Sequence, residues 1–152
     1  MPYTIEIKTL PAQPAAVVRR TAKRAELSRV VPDCCGLVWN RLRAAGIAGG
    51  RHVAIYYDGV INLEVGAEVN APFLSQDPTA SPDPLICSAT PAGLVATTVH
   101  MGSYARLHEA HAAIRDYCLA NGHRFGGPNW EIYGHWSDDP AQVRTDVFYL
   151  LA

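Results

Sequence analysis

Nothing in the sequence approaches the roughly 20 consecutive apolar residues that cross a bilayer, and its opening, MPYTIEIKTLPAQ, has neither the basic nor the apolar segment of a secretory leader. A soluble, cytoplasmic protein is expected. An excess of one charge sign is also missing: 13 Lys and Arg face 14 Asp and Glu, a formal net charge of -1. Without a basic footprint, neither binding to a phosphate backbone nor adhesion to an anionic membrane is expected. The short basic run Arg19, Arg20, Lys23 and Arg24 reads as a solvated edge. Cysteine is sparse. Cys34, Cys35, Cys87 and Cys118 form no CxxC and no small disulfide scaffold, so reduced and mostly buried thiols are expected. No glycine-rich phosphate loop occurs, because Gly126-Gly127-Pro128 reads as a turn ahead of a strand. His108-Glu109-Ala110-His111 lacks the i,i+4 histidine pair of a zinc helix, so no metal and no cofactor are assigned.

What is present suffices for a core: 152 residues, 49% of them hydrophobic, suit a single domain. Two segments have helical periodicity. The first runs from Pro32 to Ala45, with Leu37, Val38, Trp39 and Leu42 on its apolar stripe, Asp33 in its first turn and Gly46 as its stop. The second runs from Ser103, its cap, to Ala120, with Leu107, Ala110, Ile114 and Cys118 as its stripe and Asn121-Gly122 as its stop. Strand character marks Tyr3 to Thr9, Ala15 to Arg20, His52 to Asp58, Ile61 to Val69, Leu94 to Met101, Trp130 to Trp136 and Val143 to Leu151, with Asp58-Gly59 a hairpin signal. Residues 71–91 carry too many prolines for a central strand and read as a connector. On either side of it the order is the same: strand, helix, strand, strand. The fold expected is therefore α+β, two such modules at about 14–70 and 92–152 packed as one pseudosymmetric sheet, with a cleft on the pseudo-two-fold axis.

One residue disturbs this pattern. Glu131 sits within Trp130-Glu131-Ile132-Tyr133-Gly134-His135-Trp136, a run otherwise suited to a sheet. A buried carboxylate needs hydrogen bonds or a cation, since stripping its charge of water costs several kcal/mol; the missing partner is open to being a ligand. Side chains alternate along a strand, so Tyr133 and His135 share the face of Glu131, with Ala54, Tyr56 and Asp58 beside them and Glu64 and Glu68 extending a polar, aromatic face. If Trp136 pairs near Val143, Phe148 falls opposite Glu131; an error of one residue substitutes Val147 or Tyr149. Tyr104 and Trp39 are the aromatics that the two helices offer, each more often a core aromatic than a ligand contact. His100 reads as a hydrogen-bonded structural histidine. Aromatic walls around one carboxylate suit a flat, apolar, cationic molecule.

The string Val99-His100-Met101-Gly102-Ser103-Tyr104, a helix ending in Asn121-Gly122, then Gly127-Pro128 and Glu131-Ile132-Tyr133 resembles the signature of the GyrI-like, or bacterial effector-binding, domain family. The strand Leu63 to Val69 is similar to its first-half counterpart. The resemblance implies a duplicated strand-helix-strand-strand fold with two main helices against one face of a curved antiparallel sheet, a ligand cleft between the halves, and a glutamate at the place of Glu131 facing that cleft. It implies three kinds of activity. The leading expectation is a free-standing protein that captures planar, lipophilic, cationic compounds through Glu131, Tyr133, Tyr104, Tyr56, Trp39, His135 and Phe148. The alternative is a hydrolase of electrophilic or cyclopropane-bearing toxins, with Glu131 as general base and Tyr104 or Tyr133 assisting the leaving group. The third is a protein-interaction module of the gyrase-inhibitor type.

Overall fold

A computed structural model of the chain describes residues 3–57, 62–77, 79, 83–134 and 137–152. Its strands are β1 (Glu6–Leu10), β2 (Pro14–Thr21), β3 (Gly49–Tyr56), β4 (Asn62–Val69), β5 (Ile86–Ala89), β6 (Gly93–Met101), β7 (Phe125–Tyr133) and β8 (Arg144–Leu151). The helices are α1 (Leu27–Ala45) and α2 (Leu107–Ala120). All eight strands join one antiparallel sheet in the order β1, β6, β8, β7, β3, β4, β2, β5. That order reads the same from either edge once each half is matched element for element, so the duplication seen in the sequence is a pseudo-two-fold axis between β3 and β7. The connector adds β5 only where prolines are absent, and only at the edge, against β2.

Both faces of the sheet are apolar. On the helix side, Ala54, Tyr56, Leu63 and Val65 pack under Cys34, Val38 and Leu42 of α1, while Ala96 and Val147 pack under Ala110, Ile114 and Cys118 of α2. On the other side Val53, Ile55, Trp130, Ile132 and Phe148 form a second cluster. Leu10 and Ile86, from strands at opposite edges, both close over that cluster, so the sheet curls around it. Full burial of each such side chain contributes about 1.5–3 kcal/mol. The single polar face expected from alternation is thus corrected: Glu64 pairs with Ile55 and Glu68 with Ala15, which puts both carboxylates on the face away from the helices.

The helix ends follow local chemistry. Gly46 adopts φ 70 at the end of α1, and the Ile47 N–H reaches the Leu42 carbonyl at 2.9 Å. Asn121-Gly122 ends α2 in the same manner, with Gly122 at φ 72 and the His123 N–H on the Cys118 carbonyl at 2.9 Å. The start of α1 differs from expectation: it begins at Leu27 and carries Pro32 inside its second turn. Proline favours the first turn, because it has no N–H for the carbonyl four residues back, and so it mimics a helix start in sequence. Ser103 Oγ accepts the Ala105 N–H at 3.1 Å and caps the 3-10 turn that leads into α2. Ser103→Ala is expected to cost about 1 kcal/mol, read as a lowered midpoint in urea unfolding. No described helix is long and apolar enough to cross a membrane.

Candidate functional site

At the sheet centre β3 pairs with β7, Ala54 opposite Glu131 and His52 opposite Tyr133. Helix α1 packs over β4, β2 and β3, and α2 over β6 and β8. Between the helices lies a cleft of about 560 Å³ whose floor is His52, Tyr56, Glu131 and Tyr133. One wall is the apolar start of α1, Leu27, Val31, Pro32 and Cys35; the other is Tyr104 and Leu107 at the approach to α2.

Glu131 is 6% exposed and its partners come from the protein itself. The Tyr133 hydroxyl donates to Oε1 at 2.6 Å, and the Tyr56 hydroxyl lies 3.5 Å from the same oxygen, at the limit of a hydrogen bond. Nε2 of His111 is 2.6 Å from Oε2. The Nδ1 of His111 is in turn 2.6 Å from the Tyr149 hydroxyl, on which Nη1 of Arg115 donates at 3.2 Å.

The direction of this chain follows from its ends. A guanidinium only donates, so the Tyr149 oxygen accepts from Arg115, which leaves its own proton able to turn to Nδ1 of His111. In that arrangement Nδ1 accepts and Nε2 donates to Glu131, and every bond is satisfied without a second proton on the imidazole.

Burial, and after it the charge of Glu131, raises the Tyr133 phenol well above its ordinary range. The same two causes in the same order raise Tyr56. Burial leads for Tyr104 and for Tyr149 too, with Arg115 pulling Tyr149 back down. The Cys35 thiol is pushed up to about 12 by burial and by the neighbouring Cys34, so it faces the cleft as an uncharged, unreactive group. In an alkaline ultraviolet titration Tyr133 and Tyr56 are expected to stay protonated after exposed phenols ionise near about pH 10. Their raised values favour the folded state fully below the unfolded phenol's range, and that contribution is lost as the pH climbs above it.

The structure brings Glu131, Tyr133, Tyr104 and Tyr56 to one cleft, with the Tyr104 ring edge-on to Tyr133 at 5.9 Å. Trp39 stays outside the lining, 39% exposed, its ring 5.7 Å from that of His52. His135 lies outside the described residues, as does the Asp58-Gly59 turn. Phe148 is a correction: Glu131 pairs with Val147, and Phe148 pairs with Trp130, stacking on it at 5.2 Å on the far side of the sheet. A shift of one residue in register exchanges the two faces.

His111 is the residue that sequence reasoning passed over. It lies four residues after Leu107 and three before Ile114, hence on the inward face of α2, and that spacing is its legible signal. The His108-Glu109-Ala110-His111 run divides accordingly, His108 turning back to the Ala105 carbonyl at 3.1 Å while His111 turns inward. Among the described residues no group of three or more His, Cys, Asp or Glu is placed to hold a metal ion. His100 is buried and structural, accepting from the Tyr3 hydroxyl at 2.8 Å and donating to the Ser103 carbonyl at 2.9 Å.

The two halves are chemically unequal. Matching the buried positions Cys34, Val38 and Leu42 with Ala110, Ile114 and Cys118 sets Cys35 where the second half has His111. Ala54 likewise stands across from Glu131. The cleft therefore has its carboxylate on the β7 side and is apolar on the α1 side.

A second cleft of about 570 Å³ opens on the far sheet face beside Glu64. Glu64 accepts from Tyr57 at 2.7 Å, from Ser88 at 2.5 Å and from Arg19 at 2.9 Å. Its charge is cancelled by Arg19, whereas Glu131 pairs with no lysine or arginine among the described residues.

The same fold recurs among solved structures. The C-terminal domain of EcmrR superposes with a TM-score of 0.79, covering 100% of this chain and 99% of that one at 18% identity. In a complex of EcmrR with DNA, the match covers 99% of this chain but 58% of the EcmrR chain, again at 18% identity. SAV2435 bound to tetraphenylphosphonium matches with a TM-score of 0.62 at 9% identity, and a hydrolase from Listeria innocua with 0.62 at 12%, each over 100% of this chain and 94% of the other. No protein-family model matches the chain, and no curated protein does. At these identities the likeness is one of fold, and the fold is the duplicated α+β sheet that the GyrI-like resemblance implied.

Proposed function

We propose that the protein captures flat, lipophilic, cationic small molecules in the cleft floored by Glu131. The observation that carries this reading is a buried carboxylate at the cleft floor that opens onto tyrosine rings. His111 hydrogen-bonds one of its oxygens and Tyr133 the other, and no lysine or arginine among the described residues pairs with it. A cation over the floor gains the full counter-charge in a site largely shielded from water, and the Tyr56, Tyr104 and Tyr133 rings add cation–π contact worth up to about 2 kcal/mol when desolvated. The apolar start of α1 takes the ligand's uncharged body. That SAV2435, with the same fold, was solved with a phosphonium cation supports the choice of ligand class. The test is calorimetric titration with tetraphenylphosphonium, beside triphenylphosphine oxide as an uncharged control. Equal affinity for the two would remove the role given to Glu131.

The hydrolase reading has one neighbour of this fold solved as a hydrolase on its side. Against it, both oxygens of Glu131 already accept short hydrogen bonds, which occupy the positions from which it would take a proton from water. Incubation with an activated cyclopropane followed by mass spectrometry is expected to return the compound intact; catalytic gain of one water would favour the enzyme.

A further inference from the structure

We propose that His111 is the residue that determines which ligand charge the cleft accepts: as a neutral imidazole it leaves the charge of Glu131 for a cation, and once protonated it replaces that cation from within. The inference rests on the ligand class proposed above and adds the residue that governs it.

The geometry sets the two states apart. Oε2 of Glu131 is held by Nε2 of His111 at 2.6 Å, and His111 is not among the residues lining the cleft, so it reaches the carboxylate from the α2 side while the cleft opens beside Tyr56 and Tyr133. In the neutral state the pair carries one negative charge; in the protonated state it carries none. A permanent cation therefore meets an attractive floor in the first and a neutral, still desolvating one in the second.

The groups that face His111 and its hydrogen-bonded partners come from several elements. From β8, Tyr149 offers its hydroxyl proton to Nδ1, because Arg115, one turn further along α2, donates to the Tyr149 oxygen. Protonating Nδ1 would turn the Tyr149 proton away from it and place a second positive charge near the Arg115 guanidinium. Arg24, ahead of α1, adds positive charge that also reaches Tyr149. From β7, Glu131 alone favours the protonated form; Tyr133 from β7, Tyr56 from β3 and Cys35 from α1 are uncharged around neutrality. Arg115 and Tyr149 thus act as positioning residues, through His111, on the charge that a ligand meets.

The experiment measures tetraphenylphosphonium affinity from about pH 5.5 to about pH 8, a range in which imidazoles titrate and the probe does not. In the wild type the affinity is expected to fall about tenfold or more on acidification, with proton uptake on ligand release detected by calorimetry in buffers of different ionisation enthalpy. His111→Gln retains a donor to Glu131 but does not titrate, and its affinity is expected to change less than about twofold over the same range. Tyr149→Phe removes the proton offered to Nδ1, so the fall is expected at higher pH than in the wild type. A flat wild-type profile, or a His111→Gln profile as steep as the wild type, would overturn the inference and leave the cation-binding reading standing. No binding of the phosphonium at any pH would overturn both.

Discussion

Glu131→Gln is expected to weaken tetraphenylphosphonium binding by about 30-fold or more while the protein still folds. The substitution keeps the shape of the side chain and removes its charge. Deleting one partner of a desolvated charge pair costs at least about 2 kcal/mol, and about 1.4 kcal/mol corresponds to each tenfold change in affinity. The loss arises on the ligand side, because the amide still reaches His111 and Tyr133 once the hydroxyl and the tautomer readjust. Uncharged triphenylphosphine oxide is expected to bind the variant and the wild type alike. Calorimetry with both compounds, alongside thermal unfolding of both proteins, separates lost charge from lost structure.

Gly66→Ala is expected to prevent the native sheet from forming. Gly66 lies in β4 between β2 and β3, opposite Val17 and Val53. A Cβ built on it falls 1.8 Å from the Ala16 carbonyl oxygen and 2.8 Å from the Val17 Cα, both backbone atoms of the paired strand. Side chains relieve an overlap by changing rotamer; a central strand relieves it only by giving up its ladder. Overpacking in ordinary cores costs about 1–3 kcal/mol, and this contact is with backbone, so a loss at or above the top of that range is expected. Circular dichroism and urea unfolding of the variant would check it: a cooperative transition at the wild-type midpoint would show that β2 and β4 part without cost. The glycine is thus explained by close approach of strands, not by a turn.

Much of this was readable from residue order. Apolar periodicity and the Gly46 and Asn121-Gly122 stops located both helices, and the repeated element order gave the two-module sheet. Glu131 was conspicuous because a charge interrupted an aromatic strand, and alternation put Tyr133 and Tyr56 on its side. What escaped depended on distances across the sheet. The residue opposite Glu131 is decided by the length and course of the connection between β7 and β8, which includes a 3-10 turn at Pro140–Gln142; one residue of error exchanged Phe148 for Val147. His111 was hidden because a helix face is broad enough that Ala110 and His111 both point inward, and only the position of β7 beneath shows which one meets a carboxylate. Glu64 and Glu68 were assigned to the wrong face since both faces are buried, which removes the contrast that alternation relies on.

The partner that Glu131 needed is therefore internal, and this changes the argument for a ligand. A buried carboxylate without a partner would have demanded a cation merely to be tolerable. Held by His111 and Tyr133, it has its hydrogen bonds without a ligand, so under the proposed function the site needs little reorganisation to take one. In the Glu64 cleft, by contrast, the Arg19 guanidinium completes an ion pair.

The most direct measurement is a crystal structure of the protein with tetraphenylphosphonium. The account predicts the phosphonium between α1 and α2, its phenyl rings against Tyr56, Tyr104 and Tyr133 and its positive centre nearest Glu131. Density for the cation on the opposite sheet face, beside Glu64 and Arg19, with the Glu131 cleft unchanged, would contradict it.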